Sequence, residues 1–242
     1  MKTFNYLLKY HLSLYLKTNK FIMPMVLWMG FMAVSYSVKP QDFVSSALVS
    51  MGVLFLIMAW ISFSYLEDID IVSEELILLK SRNKTIYYLS KNVFLIIIGL
   101  FMSIIGVAFP IIRNALDRFE FFNRSITVGD IFSSLLLHII FAALGCSLCI
   151  LFQARCIKNR KIAIEMLILA LVVSIIKIAI IQKLPLIKYV TWVLPPICEI
   201  LKVLGDKNFF YIGDIVKSII YGSVYIFAYN TINIHILKKR LF

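Results

Sequence analysis

The sequence predicts an all-α integral membrane protein, and three observations carry that prediction. Of the 242 residues, 61% are hydrophobic and only 16% charged, against roughly half and a quarter in a soluble domain. The mean hydropathy is +0.91. The apolar residues also fall into six runs near or above the ~18–20 residues that a helix needs to cross the hydrocarbon core. These runs lack the alternation of barrel strands, and lipid offers the backbone no hydrogen-bond partner, so each is expected to be a helix.

The first twenty residues, 1–20, form a unit of their own. Phe4, Leu7, Leu8, Leu12, Tyr15 and Leu16 recur near helical spacing, while Lys2, Asn5, Lys9, Ser13, Lys17 and Lys20 mostly take the other side. An amphipathic helix of this kind lies in the membrane interface. The first span is expected at 21–38. Ala33-Val34-Ser35 has the small-x-small form of a signal-peptide cleavage site. The charged region ahead of it is too long and too amphipathic for a signal peptide, so the span is expected to stay uncleaved. A tight turn around Pro40 leads to the second span, 43–65.

The connection 66–91 is crowded with charge. Within it, Glu74 to Lys91 carries two acids, four bases and two tyrosines. Read as a helix, Ile69, Val72, Leu76 and Leu79 share one side, and Glu67, Asp70, Glu74, Glu75 and Lys80 lie largely elsewhere. Ser81 or Asn83 breaks it, and Tyr87, Tyr88 and Lys91 lead into the third span, 92–112. Such a segment either turns the chain in the interface or offers a short helix to a soluble partner, for which mixed charge and tyrosine are suitable chemistry.

The fourth, fifth and sixth spans are expected at 131–153, 162–181 and 215–236. Between the last two, 184–214 is too apolar for a solvated loop. Pro185 and the pair Pro195-Pro196 leave too little length to cross, and Lys188, Glu199 and Lys202 interrupt it. Broken helices that dip into the outer leaflet, covered by protein, fit this pattern, with Tyr189 and Trp192 at interfacial depth. A seventh span would put the C-terminus outside, against Lys238-Lys239-Arg240.

Six spans place 15 Lys and Arg on the side of the N-terminus, 66–91, 153–161 and 237–242, and 9 on the other, with Lys177 inside a span. The positive-inside rule then puts both termini in the cytoplasm. The net charge of +12 follows from this topology and from attraction to anionic headgroups. No basic stripe with interleaved aromatics lies on a soluble element, so no nucleic-acid partner is expected.

Chemistry-bearing motifs are sparse. The chain has no HExxH, no GxSxG and no P-loop, because no glycine precedes a lysine. Cys146 and Cys149 form a CxxC inside a span with no second pair, which suits close helix packing better than metal or redox chemistry. The sequons at Asn83 and Asn123 are chance matches. Neither a catalytic residue nor a metal site is expected. Glu165 and Lys177 stand about 18 Å apart along one helix and cannot pair. His138 and Lys177, ionisable and within spans, are the candidate pathway residues, although packing through hydrogen bonds is the plainer role for His138. Intramembrane proteases of the CAAX-processing type carry Glu-Glu-x-x-x-Arg. Here Glu74-Glu75 is followed at that position by Leu79, and His138 has no paired histidine.

In layout the chain resembles the membrane subunit of an ABC-2 type transporter. The resemblance rests on the basic amphipathic helix 1–20, six spans, the acids, basic turn and aromatics Glu74, Glu75, Arg82, Tyr87, Tyr88 and Lys91, and the broken hairpin 184–214. It implies an elbow helix touching the interface through Phe4, Leu7, Leu8, Lys9 and Leu12. It also implies a coupling helix in 66–91, with Glu74, Glu75, Leu76, Leu79, Lys80, Arg82 and Tyr87 facing a separate ATPase subunit that binds ATP and Mg. A second permease subunit, identical or homologous, would complete the pathway in a bacterial plasma membrane. The apolar spans suit a hydrophobic or amphipathic cargo, and small members of the family export antimicrobial peptides or confer immunity to them. A stand-alone membrane immunity or binding protein is the alternative from another class.

Overall fold

The computed structural model describes residues 2–80, 83–153, 155–157, 159–205 and 207–239, with the backbone alone at Lys2, Ile71 and Val190. All the elements among them are helical. Among the described residues, five helices are long and apolar enough to cross a membrane: α3 (Phe43–Glu67), α5 (Lys84–Leu116), α6 (Val128–Cys149, continued by a 3-10 turn to Phe152), α7 (Arg160–Lys183) and α10 (Ile212–Lys239). The chain is therefore a multi-pass, all-helical membrane protein. The remaining helices are α1 (Lys2–Lys17), α2 (Ile22–Ser35), α4 (Ile71–Lys80), α8 (Lys188–Thr191) and α9 (Ile197–Gly205).

The first apolar run differs from its expectation. Only Ile22–Ser35 is helical, 14 residues, or about 21 Å at 1.5 Å per residue, against a hydrocarbon core of ~30 Å. The chain nevertheless runs the length of α3. Lys20, just before α2, pairs with Asp68, just past α3, while Gln41 at the start of α3 bonds the Ser35 carbonyl at the end of α2. The third run is longer than expected. Asn83 accepts from the N–H groups of Thr85 and Ile86 and so starts α5 a full two turns before residue 92.

Helix α6 is central, packed on α3, α5 and α10. Its approach to α3 is close because of Gly145: a Cβ there would stand 2.3 Å from the Phe55 carbonyl oxygen. Small residues permit this kind of contact where no hydrophobic force drives helices together in lipid. Thr127 and Asp130 cap α6 reciprocally.

The two ends of the bundle differ. At one end Leu7 of α1, Leu78 of α4, Tyr87 and Tyr88 of α5, Cys156 and Leu237 of α10 form one buried cluster. At the opposite end the loops after α2, α5 and α9 are knitted together: Phe43 packs on Phe122 and Phe210, and Arg124 donates to the Asn208 carbonyl.

Candidate functional site

The charge that the sequence concentrates in 66–91 sorts onto two faces of α4. Asp70 accepts from the Ser73 N–H at 2.9 Å and starts the helix. Glu74 and Leu78, one turn apart, face inward and are buried. Val72, Leu76 and Leu79 share the opposite face with Glu75, and all four are exposed, Leu79 to 75%. A short amphipathic helix thus shows its apolar stripe away from the protein.

Glu74 fixes α4 in this orientation. Its Oε1 lies 3.3 Å from Nζ of Lys91 on α5, and its Oε2 lies 2.6 Å from Nε of Arg155 in the connection between α6 and α7. Lys91 is 1% exposed. It also donates to Gln153 Oε1 at 3.1 Å and sits 5.2 Å from the centre of the Tyr88 ring, a cation–π distance. Burial alone would raise the Glu74 pKa, but attraction to Lys91 and Arg155, with their hydrogen bonds, outweighs burial and holds it below the ordinary value. One carboxylate therefore ties together α4, the root of α5 and the α6–α7 connection.

Helix α1 is anchored by a histidine whose importance the sequence did not signal. The Ser90 hydroxyl donates to the Tyr87 carbonyl at 2.7 Å, so it accepts from His11 Nε2–H at 3.1 Å. The other ring nitrogen, Nδ1, then accepts from the Tyr65 hydroxyl at 2.6 Å. A single neutral tautomer satisfies helices α1, α3 and α5 together. Burial first, then repulsion from Lys91, lowers the His11 pKa to about 3. Of the elbow residues, Leu7 is buried, Phe4 and Leu8 are half-buried, and Lys9 and Leu12 are exposed. Between α1 and α4 lies an open cleft of about 530 Å3 lined by Tyr6, Leu7, Tyr10, Ile77 and Lys80.

The expected site residues of 66–91 therefore separate. Glu75, Leu76, Leu79 and Lys80 are on the surface, whereas Glu74 and Tyr87 point inside. Arg82 lies outside the described residues. Of the residues that complete the cluster, the sequence places Arg155 only among the bases of 153–161 and Gln153 only at the end of the fourth span. No spacing in the sequence links them to Glu74.

The two candidate pathway residues are both buried and both bonded. His138 Nδ1 donates to the Ser134 carbonyl at 2.8 Å, and Ser50 Oγ lies 3.0 Å from Nε2. Lys177 pairs with Glu199 of α9 at 2.5 Å and lies 3.4 Å from the Thr191 carbonyl. Glu165 is exposed on α7. The next two carbonyls, of Trp192 and Val193, accept from the hydroxyls of Tyr225 and Tyr229, each at 2.5 Å. Those tyrosines sit about 15–21 Å along α10 from Lys239, near the middle of the helix. The turn between α8 and α9 thus reaches deep between α7 and α10, and side chains from both satisfy backbone that no helix satisfies.

No protein-family model, no curated protein and no solved structure matches the chain.

Proposed function

We propose that the chain is the membrane subunit of an ATP-driven ABC exporter of the ABC-2 type, and that α4 is its coupling helix. The observation that carries this is the two-faced build of α4. Its inner face is locked by Glu74 to Lys91 and Arg155, and its outer face presents Val72, Leu76 and Leu79 with Glu75. A helix that only turned the chain would need no buried ion-pair cluster, because taking charges out of water is costly unless their geometry is fixed. A lever must pass a push from a soluble partner into the spans, and Glu74 joins α4 directly to α5 and to the connection that leads to α7. Glu75, Leu76, Leu79 and Lys80 touch the partner, and the cleft between α1 and α4 receives a side chain from it. Glu74 and Tyr87 transmit the motion from inside.

Counting α2 as a crossing gives six, since Lys20 and Ser35 bring its flanks to the two ends of α3. The α4 end, which also holds Leu7 and Leu237, then faces the cytoplasm of a bacterial cell, in keeping with its excess of lysine and arginine. ATP and Mg are bound by the partner subunit. A second permease subunit, the same or homologous, completes the pathway. The cargo is hydrophobic or amphipathic, of the antimicrobial-peptide class. Glu74 is engaged by two cations while His138 is engaged by Ser50 and Ser134, an arrangement that favours a permease over a protease built on these two groups.

Cysteine cross-linking tests the proposal. With Leu79→Cys in the full chain in its native membrane, a thiol cross-linker is expected to trap an ATP-binding subunit, and Leu169→Cys on α7 is not. Equal trapping at both positions, or trapping only to lipid, overturns the coupling role of α4 and favours a stand-alone immunity protein.

A further inference from the structure

On the flank where α1 meets α2, α3 and α5 lies a groove of about 380 Å3. Its walls include Leu12 and Leu16 of α1, Met25 of α2, Ile61 of α3, and Ile97 and Phe101 of α5. Leu12, Leu16, Ile97 and Phe101 are exposed, so the groove opens on the surface of the bundle. Two of its walls, α3 and α5, are helices long and apolar enough to span a membrane, so the opening faces lipid. We propose that this groove is a binding site for one acyl chain of an anionic phospholipid, with the headgroup met by Lys9 and Lys17 of α1.

The lining decides the class of ligand. Tyr15 contributes its one hydroxyl, and every other lining residue is aliphatic, Met or Phe. An extended peptide in the groove would bring an N–H and a C=O at each residue with nothing to bond them, a cost of several kcal/mol per group in hydrocarbon. An acyl chain brings none.

The rim decides the headgroup. Lys9 lies three residues before Leu12 and seven before Leu16, on the same side of α1, and both Lys9 and Lys17 are exposed. Helix α1 contains no acid. The nearby Lys20 is balanced by Asp68, which leaves Lys9 and Lys17 to attract an anion. Each lysine beside the headgroups raises the local concentration of anionic lipid about fivefold. The site needs no ATPase, so it stands or falls independently of the transport proposal.

The test uses the full chain in phosphatidylcholine vesicles holding a trace of phosphatidylglycerol or of phosphatidylcholine with a photoactivatable group in the acyl chain. Labelled residues are mapped by peptide mass spectrometry. The expected result is several-fold more labelling of Met25, Ile97 and Phe101 than of Leu169 and Val172 on α7, with the anionic probe only. Lys9→Glu with Lys17→Glu, both on the surface, should remove that preference while leaving the thermal transition unchanged. Enrichment that is the same for both probes, or that survives the two charge reversals, overturns the anionic assignment. Labelling of the groove no greater than of α7, or a groove protected by a second copy of the chain, overturns the site.

Discussion

Glu74 and Lys91, 17 positions apart in sequence, meet at 3.3 Å with neither side chain more than 3% exposed. Arg155 closes on the other oxygen of the same carboxylate at 2.6 Å. This three-way contact ties α4 to the bundle, beside the buried cluster that holds Leu78. In the proposed mechanism it is the joint through which a push on α4 enters the spans.

Removing one partner of this cluster leaves the others charged and buried. Glu74→Gln is expected to cost ~3–5 kcal/mol. Lys91→Met added to it should restore part of the loss, because the stranded cation is then gone. Thermal unfolding of the detergent-purified single and double variants measures this. Strict additivity of the two losses contradicts the pairing.

Acid should loosen α1. His11 is held neutral with its pKa at about 3, while an unfolded histidine titrates near 6.5. The unfolded state therefore binds more protons between these values, and stability falls as pH drops below about 6.5, by up to ~1.4 kcal/mol per pH unit. Glu74 works at the lower edge of the range. Its depressed pKa contributes stability that is complete at neutral pH and lost as pH falls through the folded value. His11→Phe should flatten the slope between pH 6.5 and 4.5 in a thermal-shift series, and an unchanged slope would place the titration elsewhere.

The α3–α6 contact leaves no room for a methyl group. Gly145→Ala puts Cβ against the Phe55 carbonyl, and overpacking of this kind costs typically ~1–3 kcal/mol. Gly30→Ala meets nothing within 4 Å and should be neutral or slightly stabilising. The difference in melting temperature between the two variants is the readout.

Lys177 holds the deep turn between α8 and α9. Glu199→Gln strands Lys177 in an apolar environment and should release the turn. Limited proteolysis of 184–211 is expected to accelerate in this variant, while Glu165→Gln on the exposed face of α7 leaves it unchanged. Equal protection in both would mean that the tyrosine hydroxyls on Trp192 and Val193 suffice.

Legibility in the sequence followed the range of the interactions. The helical class and the second to sixth apolar runs came from hydropathy, which each segment carries by itself. The first run was drawn out to the apolar Val38, although the helix ends at Ser35 and Tyr36 turns away to pack on Phe109 and Phe121. The two faces of α4 were legible as a pattern, since Val72, Leu76 and Leu79 recur at helical spacing. Which face points inward was not, because the answer lies in Arg155 and Gln153, on another element. Lys177 was set against Glu165 on its own helix, whereas its partner Glu199 comes from a hairpin whose return depth no local signal encodes. The role of His11 carries no local signal, because its two partners, Tyr65 and Ser90, come from two other helices.

The most direct measurement is purification of the intact chain from its native membrane in mild detergent, beside a Leu76→Asp, Leu79→Asp variant, with co-purifying proteins identified and counted. A P-loop ATPase at about one per chain is expected with the unaltered protein. That subunit should be lost from the variant while the variant's melting temperature stays within a degree or two, since both leucines are on the surface. An intact, oligomeric chain that brings no ATPase, or an ATPase retained equally by the variant, contradicts the role assigned to α4.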